Sequence, residues 1–195
     1  MNEDYSQPYF YKFNSDSFDL IDYVLKNIPT VHAILDLGAG CGVIGIEIAK
    51  RSSARHLTLV ELQTEYKNYI EDNCKKFLRD ETQVEIAISS FQDYQSVKKF
   101  DLIVCNPPYY LPGHGELPKI PQRALARTFL VDDWMILVRK IAQSLTVDGS
   151  ALIVLKNDEN LIKEIAKIAL GNDLVLERIS LTNVVILKLS RLNKK

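Results

Sequence analysis

Short apolar runs alternate with helical apolar periods along almost the whole chain, and this alternation restricts the fold more than any other feature. Runs at residues 33–37, 57–60, 84–88, 100–105 and 151–155 read as strands apolar on both faces. Between them, Leu62, Tyr66, Tyr69, Ile70, Phe77 and Leu78 fall on one face of a long helix, and Trp134, Leu137, Val138, Ile141 and Leu145 on one face of another. Strands buried on both faces and separated by helices pair in parallel, with a helix layer on each side. Asp148-Gly149 marks the turn into the fifth strand. After a helix near residues 161–170, two further strand-like runs, 174–179 and 184–189, are split only by Ser-Leu-Thr-Asn. A connection that short permits only an antiparallel pair. The expected architecture is α/β, a mostly parallel seven-stranded sheet ending in an antiparallel hairpin. With 195 residues, 47% of them hydrophobic, the chain suits one domain over 1–195, with an N-terminal lid or helix segment at 1–28 and the core at 29–195.

Several function classes are disfavoured. No run approaches the roughly 20 apolar residues of a membrane span, and the start has acids where a signal peptide needs a basic region, so a cytoplasmic protein without a membrane partner is expected. Cys41, Cys74 and Cys105 show no metal spacing, and His32, His56 and His114 lie apart from them. Neither disulfides nor a metal site is suggested. The net charge of −1 argues against indiscriminate nucleic-acid binding, yet the charges are uneven. Acids dominate residues 1–22, whereas Lys119, Arg123 and Arg127 outnumber Glu116 in 106–127, and Lys188, Arg191, Lys194 and Lys195 crowd the end of the chain. A polyanion could be met by one face.

Two segments carry chemistry. Asp36-Leu37-Gly38-Ala39-Gly40-Cys41-Gly42 leaves the first strand and enters a helix near Val43. Glycines let such a loop approach a ligand, and the helix start presents unpaired N–H groups. Gly40-x-Gly42-x-x-Gly45 also satisfies the dinucleotide fingerprint, so neighbouring residues must decide the cofactor. Glu61, at the end of the second strand, can accept two ribose hydroxyls. Asn106-Pro107-Pro108-Tyr109 follows the fourth strand, where open α/β sheets bind ligands. Two consecutive prolines stop the strand and hold a rigid turn. The Asn106 side-chain oxygen and the Pro107 carbonyl then form a pair of acceptors for a planar amide or amino group, with the Tyr109 ring to stack on it.

The order of strands resembles the Rossmann-like class I methyltransferase fold over most of the chain. That resemblance makes S-adenosylmethionine the expected cofactor, bound by Asp36, Gly38, Gly40, Glu61, Phe91 and Asn106. Asp36 corresponds to the acid that methyltransferases place near the cationic end of the cofactor, where a carboxylate would repel a pyrophosphate. Related enzymes often carry an acid after the third strand that reads the adenine amino group. Here Ser89-Ser90-Phe91-Gln92-Asp93 stands in its place, with Phe91 to pack on adenine and the acid missing or displaced to Asp93.

Asn106, Pro107, Pro108 and Tyr109 are similar to the signature of amino-group methyltransferases acting on adenine N6 in nucleic acids or on glutamine in release factors. By that resemblance Asn106, Pro107 and Tyr109 are catalytic, and Pro108, Tyr109, Arg123 and Arg127 meet the substrate. Two flanks favour RNA. Gln7-Pro8 with residues 11–17 resembles the lead-in of bacterial tRNA adenine-N6 methyltransferases that modify the base beside the anticodon of a valine tRNA, and Arg123-Ala124-Leu125-Ala126-Arg127 resembles that family's Arg-rich segment. The implied reaction is methylation of adenine N6 in RNA, above all tRNA. The alternatives are glutamine-N5 methylation of a protein and a non-catalytic RNA-binding subunit; a nicotinamide oxidoreductase stands further off, lacking a hydride-transfer pair. For Arg123 and Arg127 a surface pair at i, i+4 competes with phosphate contact. For Tyr9, Phe10, Tyr11 and Phe13 a strap over the sheet edge competes with a lid on the cofactor, and Ser15 and Asp16 suit capping of the next helix.

Overall fold

The computed structural model describes residues 4–109, 117–182 and 184–192. Residues 110–116 of the irregular stretch expected after the Asn-Pro-Pro-Tyr turn, and Lys194 and Lys195 of the basic tail, lie outside the described residues. The elements run α1 (Ser15–Asn27), β1 (Ala33–Leu37), α2 (Val43–Arg51), β2 (His56–Glu61), α3 (Lys67–Phe77), β3 (Gln83–Ile88), β4 (Phe100–Cys105), α4 (Pro121–Arg127), α5 (Trp134–Ser144), β5 (Leu145–Leu155), α6 (Glu159–Leu170), β6 (Leu174–Ser180) and β7 (Val185–Arg191). The sheet has seven strands in the order β3-β2-β1-β4-β5-β7-β6. β1 to β5 are mutually parallel, and β7 pairs antiparallel with both β5 and β6. The chain reverses its direction of travel across the sheet between β1 and β4, which opens a crevice at the carboxyl ends of those strands.

Alternation along the strands sorts the core into two layers. Ile34, Leu57, Leu59, Leu102 and Val104 pack beneath α1, α2 and α3, while Leu35, Leu37, Val60, Ile103 and Cys105 pack beneath α5 and α6. α1 contributes Leu20, Ile21 and Val24 to the first layer, so from Ser15 onward the N-terminal segment is part of the core. Upstream of α1 it acts as a strap. Tyr5 stacks on Phe77 at 4.3 Å, and Phe10 meets Tyr66 edge-on at 5.5 Å.

Three local expectations are corrected. The helix drawn from Leu62 begins only at Lys67, after a 3-10 turn over Thr64–Tyr66, because Gln63 N–H turns back to Glu61 Oε1 at 2.9 Å. β5 starts at Leu145, and Asp148-Gly149 is a bulge within it: Thr146 to Gly149 stand opposite Asp101 alone. A Cβ on Gly149 would lie 2.7 Å from Thr146 Oγ1 and 3.0 Å from the Phe100 carbonyl, so the bulge requires glycine. The cap of α1 is Asn14, whose side chain accepts Asp16 N–H at 3.2 Å, and not Ser15 or Asp16.

Gly45 sets how closely α2 can lie on β1. An added Cβ would sit 2.9 Å from Leu57 Cδ1 and 3.0 Å from Asp36 Oδ2. Gly45→Ala is therefore expected to destabilise the fold by roughly 1–3 kcal/mol through overpacking, read as a lower urea midpoint with an unchanged slope.

Candidate active site

The crevice between β1 and β4 holds an open-mouthed cavity lined by residues from the carboxyl ends of the strands and the loops that follow them. Its floor is the loop from Gly38 to Cys41; Gly38, Gly40 and Gly42, the last capping α2, have φ of 73°, 56° and 85°. Only glycine holds this left-handed backbone without strain. Glu61 fastens the loop from the neighbouring strand: Oε2 accepts Gly40 N–H at 2.8 Å and Oε1 accepts Gln63 N–H. Each oxygen keeps a lone pair for a ligand hydroxyl. Burial raises the Glu61 carboxyl above the ordinary range, while the N–H groups of Gln63, Gly40 and Leu62 oppose that rise.

Asp36 lies underneath the loop, outside the cavity lining. It is fully buried, its Oδ2 accepts Gly45 N–H at 2.8 Å, and its Oδ1 has no hydrogen-bond partner. Burial pushes its pKa from 3.8 up to about 7; the Gly45 N–H lowers it and the charge of Glu61 raises it. Asn73, absent from the sequence-based expectations, joins the glycine loop to the N-terminal strap. Its amide donates to the carbonyls of Cys41 at 2.9 Å and Ser6 at 2.8 Å and accepts Ser6 N–H. Burial raises Cys41 to about 12 and Cys105 well above its usual value, so both remain thiols and neither is a poised nucleophile.

At the far end, Phe91 forms part of the wall beside Gly38. Asp93 is turned away, binding Ser90 Oγ at 2.8 Å. The acid at this end is Asp132, which lines the cavity and accepts the N–H groups of Phe91 at 2.9 Å and Gln92 at 3.1 Å. No motif in the sequence marks it, because it arrives from the loop after α4, far along the chain. Gln63 Oε1 is buried in the lining without a partner, which suits a donor on a bound ligand.

The Asn106-Pro107-Pro108-Tyr109 turn forms the wall between two spaces. Asn106 and Pro108 line the cavity, while Pro107 and Tyr109 line a second cleft on the other side. Asn106 Nδ2 donates to Ser17 Oγ at 3.1 Å, and the Tyr109 hydroxyl lies 2.6 Å from Asn106 Oδ1 and 3.1 Å from Asp16 Oδ2. Charge differs sharply between the two spaces. Among the described residues, the cavity is lined by the carboxylates of Glu61 and Asp132 and by no Lys or Arg. The cleft is lined by Lys12, Arg123, Arg127 and Lys156, with Asp16 as its acid and Tyr9, Tyr11 and Tyr109 among its aromatics. Arg123 and Arg127 stand at i, i+4 on α4 and both face this cleft. Tyr11 and Phe13 line the cavity while Tyr5 and Phe10 hold the strap down, so the aromatic cluster divides between lid and strap.

A family model for the methyltransferase small domain matches residues 13–176. The chain is 33% identical over 127 residues to a tRNA1(Val) (adenine(37)-N6)-methyltransferase of Glaesserella parasuis, covering 64% of this chain and 52% of the relative. It is 29% identical over 146 residues to a protein of the same name from Vibrio cholerae, covering 75% of this chain and 59% of that one. The chain thus spans about half the length of the curated relatives it matches. Among solved structures, magnesium protoporphyrin IX methyltransferase from Synechocystis, with bound SAM, superposes with a TM-score of 0.59 at 14% identity over 91% of this chain and 78% of that one. The expected Rossmann-like methyltransferase fold is the one observed. Among the described residues no helix is long and apolar enough to cross a membrane.

The raised Asp36 carboxyl makes stability depend on pH. Below about pH 3.8 the group is protonated in both folded and unfolded states; as pH rises towards 7 the unfolded chain loses the proton that the native state keeps. Its stabilising contribution is complete below that window and lost across it. Urea unfolding of the ligand-free protein should therefore show stability falling over this range, and Asp36→Asn should flatten the fall. An equally steep Asp36→Asn profile would assign the dependence to other groups.

Proposed function

The chain belongs to the methyltransferase small domain family, and we propose that it transfers a methyl group from S-adenosylmethionine to the N6 amine of adenine in RNA, with tRNA the preferred class. One observation carries this reading: the Asn106–Tyr109 turn separates a cavity lined by carboxylates from a cleft lined by cations. A cationic sulfonium and ammonium suit the first side and a phosphodiester chain suits the second, whereas a pyrophosphate cofactor would face Glu61 and Asp132 without a compensating cation.

The residues of the cavity fit the cofactor. Glu61 keeps acceptor capacity for ribose hydroxyls, Gln63 Oε1 is an unused acceptor, Phe91 offers an aromatic face, and the glycine loop admits close approach of the backbone. Bound there, S-adenosylmethionine supplies an electrophilic methyl carbon. The remaining steps belong to the protein. An adenine N6 amine is a poor nucleophile because its lone pair is spread into the ring. Asn106 Oδ1 and the Pro107 carbonyl accept its two N–H bonds and favour the positive charge that builds on nitrogen during attack, a preorganised electrostatic contribution. The rigid turn also fixes the direction of approach. No strong base is required, since the nitrogen loses its proton readily once methylated. Tyr109 and the exposed Tyr9 offer ring faces to extruded bases, and the four cations offer contacts to phosphates. With tRNA as the substrate, the reading extends to a cytoplasmic protein. Glutamine-N5 transfer would use the same amine chemistry, but a cleft lined by four cations suits a phosphodiester chain better than a protein loop.

Incubation with tritiated S-adenosylmethionine and total RNA, DNA or release factor, followed by nucleoside and amino-acid analysis, should place the label in N6-methyladenosine from RNA. Label in glutamine would transfer the reading to proteins. RNA affinity should fall with salt, and replacing Arg123 and Arg127 by Ala together should reduce that slope by about one to two while calorimetric binding of S-adenosylmethionine stays at the parental level. An unaltered slope would place the RNA face elsewhere.

A further inference from the structure

The first turn of α1 lies against the Asn-Pro-Pro-Tyr turn and, like it, divides between the two spaces: Ser17 lines the cavity beside Asn106, and Asp16 lines the cleft beside Tyr109. Both residues are buried, with 2% and 8% exposure, although neither caps its helix, the cap being Asn14. Both side chains reach the turn, and Asp16 also accepts Asn14 Nδ2 at 3.2 Å on the Oδ2 that faces Tyr109 and Ser15 Oγ at 3.3 Å on Oδ1. Ser17 Oγ receives Asn106 Nδ2, which leaves the amide oxygen turned towards Tyr109.

A hydroxyl has one hydrogen to donate. At 2.6 Å from Asn106 Oδ1 and 3.1 Å from Asp16 Oδ2, the Tyr109 hydroxyl gives its hydrogen to Asn106 in the resting structure. The oxygen proposed above to accept the substrate amine is therefore already engaged. An amide oxygen has a second lone pair, but a short bond on the first reduces the negative charge left for a nitrogen that is becoming positive. The Asp16 carboxylate is the second acceptor within reach of the same hydroxyl, and rotation about the phenolic C–O bond suffices to reach it.

Resting on the amine chemistry proposed above, we infer that Asp16 and Ser17 are positioning residues: Ser17 holds the Asn106 amide with its oxygen towards the acceptor amine, and Asp16 takes over the Tyr109 hydrogen bond when that amine arrives. Only hydrogen-bond donation changes hands, and every proton stays on its own atom. The arrangement makes Asn106 a weaker acceptor while the site is empty and a full acceptor once a base is docked. It also gives a role at the turn to Asp16, which the sequence suggested, with Ser15, as a helix cap.

The test is a rescue. Asp16→Ala leaves the hydroxyl on Asn106 with no alternative acceptor, and kcat/KM for the RNA acceptor should fall about tenfold. Adding Tyr109→Phe removes the competing hydroxyl, and the double variant should return to within about threefold of Tyr109→Phe alone, a strong departure from additivity. Ser17→Ala should lower kcat about tenfold in the parent and change it less than about twofold in an Asn106→Ala background. Calorimetric affinity for S-adenosylmethionine should stay near the parental value in the Asp16 and Tyr109 variants, whose residues line the cleft, and a cooperative urea transition reports that every variant is folded. An Asp16→Ala variant of parental activity, or a double variant no better than Asp16→Ala alone, overturns the positioning role of Asp16, and additive Ser17 and Asn106 effects overturn that of Ser17. If the parent protein itself transfers no methyl group to RNA, the reading under Proposed function falls and takes this one with it; transfer by the parent without rescue overturns this one alone.

Discussion

A backbone loop can face a ligand only if something else ties it down, and here two buried carboxylates do so from neighbouring strands. Asp36 Oδ2 holds Gly45 N–H and Glu61 Oε2 holds Gly40 N–H, each at 2.8 Å. The loop can then keep its left-handed glycines and its close seat on β1 without a bound ligand. Asn73 extends the brace to the N-terminal strap through Cys41 and Ser6. Burying carboxylates is costly in free energy, and both Asp36 and Glu61 show it in raised pKa values. The cost is consistent with function: a cation brought to this end of the sheet would relieve it.

The same sheet order that creates the crevice also sorts charge. β4 lies beside β1, so the turn after Cys105 stands at the rim of the glycine-loop cavity. Successive residues of that turn alternate between the cavity and the cleft, and the prolines keep them from exchanging sides. Carboxylates on one side and cations on the other then follow from elements far apart in sequence. Lys12 precedes α1, Arg123 and Arg127 sit on α4, and Lys156 follows β5. A methyl donor and a polyanionic acceptor can thus approach from opposite sides and meet at one amide.

What the sequence disclosed was what local chemistry encodes. The five apolar strand runs, of which β3 proves to be a half-exposed edge strand, the short hairpin connection, the glycine loop and the double proline all have periodicity or backbone restrictions that act within a few residues. The two-sided division of the turn was not visible, because it depends on which strand lies beside β4. Asp36 and Glu61 differ in the same way: both stand near the carboxyl end of a strand, but only the packed sheet shows that Glu61 reaches the cavity while Asp36 supports the loop from below. Asp132, Asn73 and the contact of Asp16 with Tyr109 are long-range pairings. Asp16 looked like a helix-start residue for a sound local reason, and besides its local contacts with Asn14 and Ser15 it meets Tyr109, 93 positions away.

The claim on which the mechanism stands is that the Asn106 side-chain oxygen stabilises charge present only in the transition state. Turnover of Asn106→Ala on its best RNA, measured with calorimetric affinity for S-adenosylmethionine on the same preparation, tests it most directly. Turnover at saturating cofactor should fall by roughly two to three orders of magnitude, the scale of losing one preorganised hydrogen-bond partner, in a protein that still binds the cofactor. Near-parental turnover in a protein that still binds the cofactor would contradict the amine-gripping mechanism and the assignment of N6 as the methylated atom.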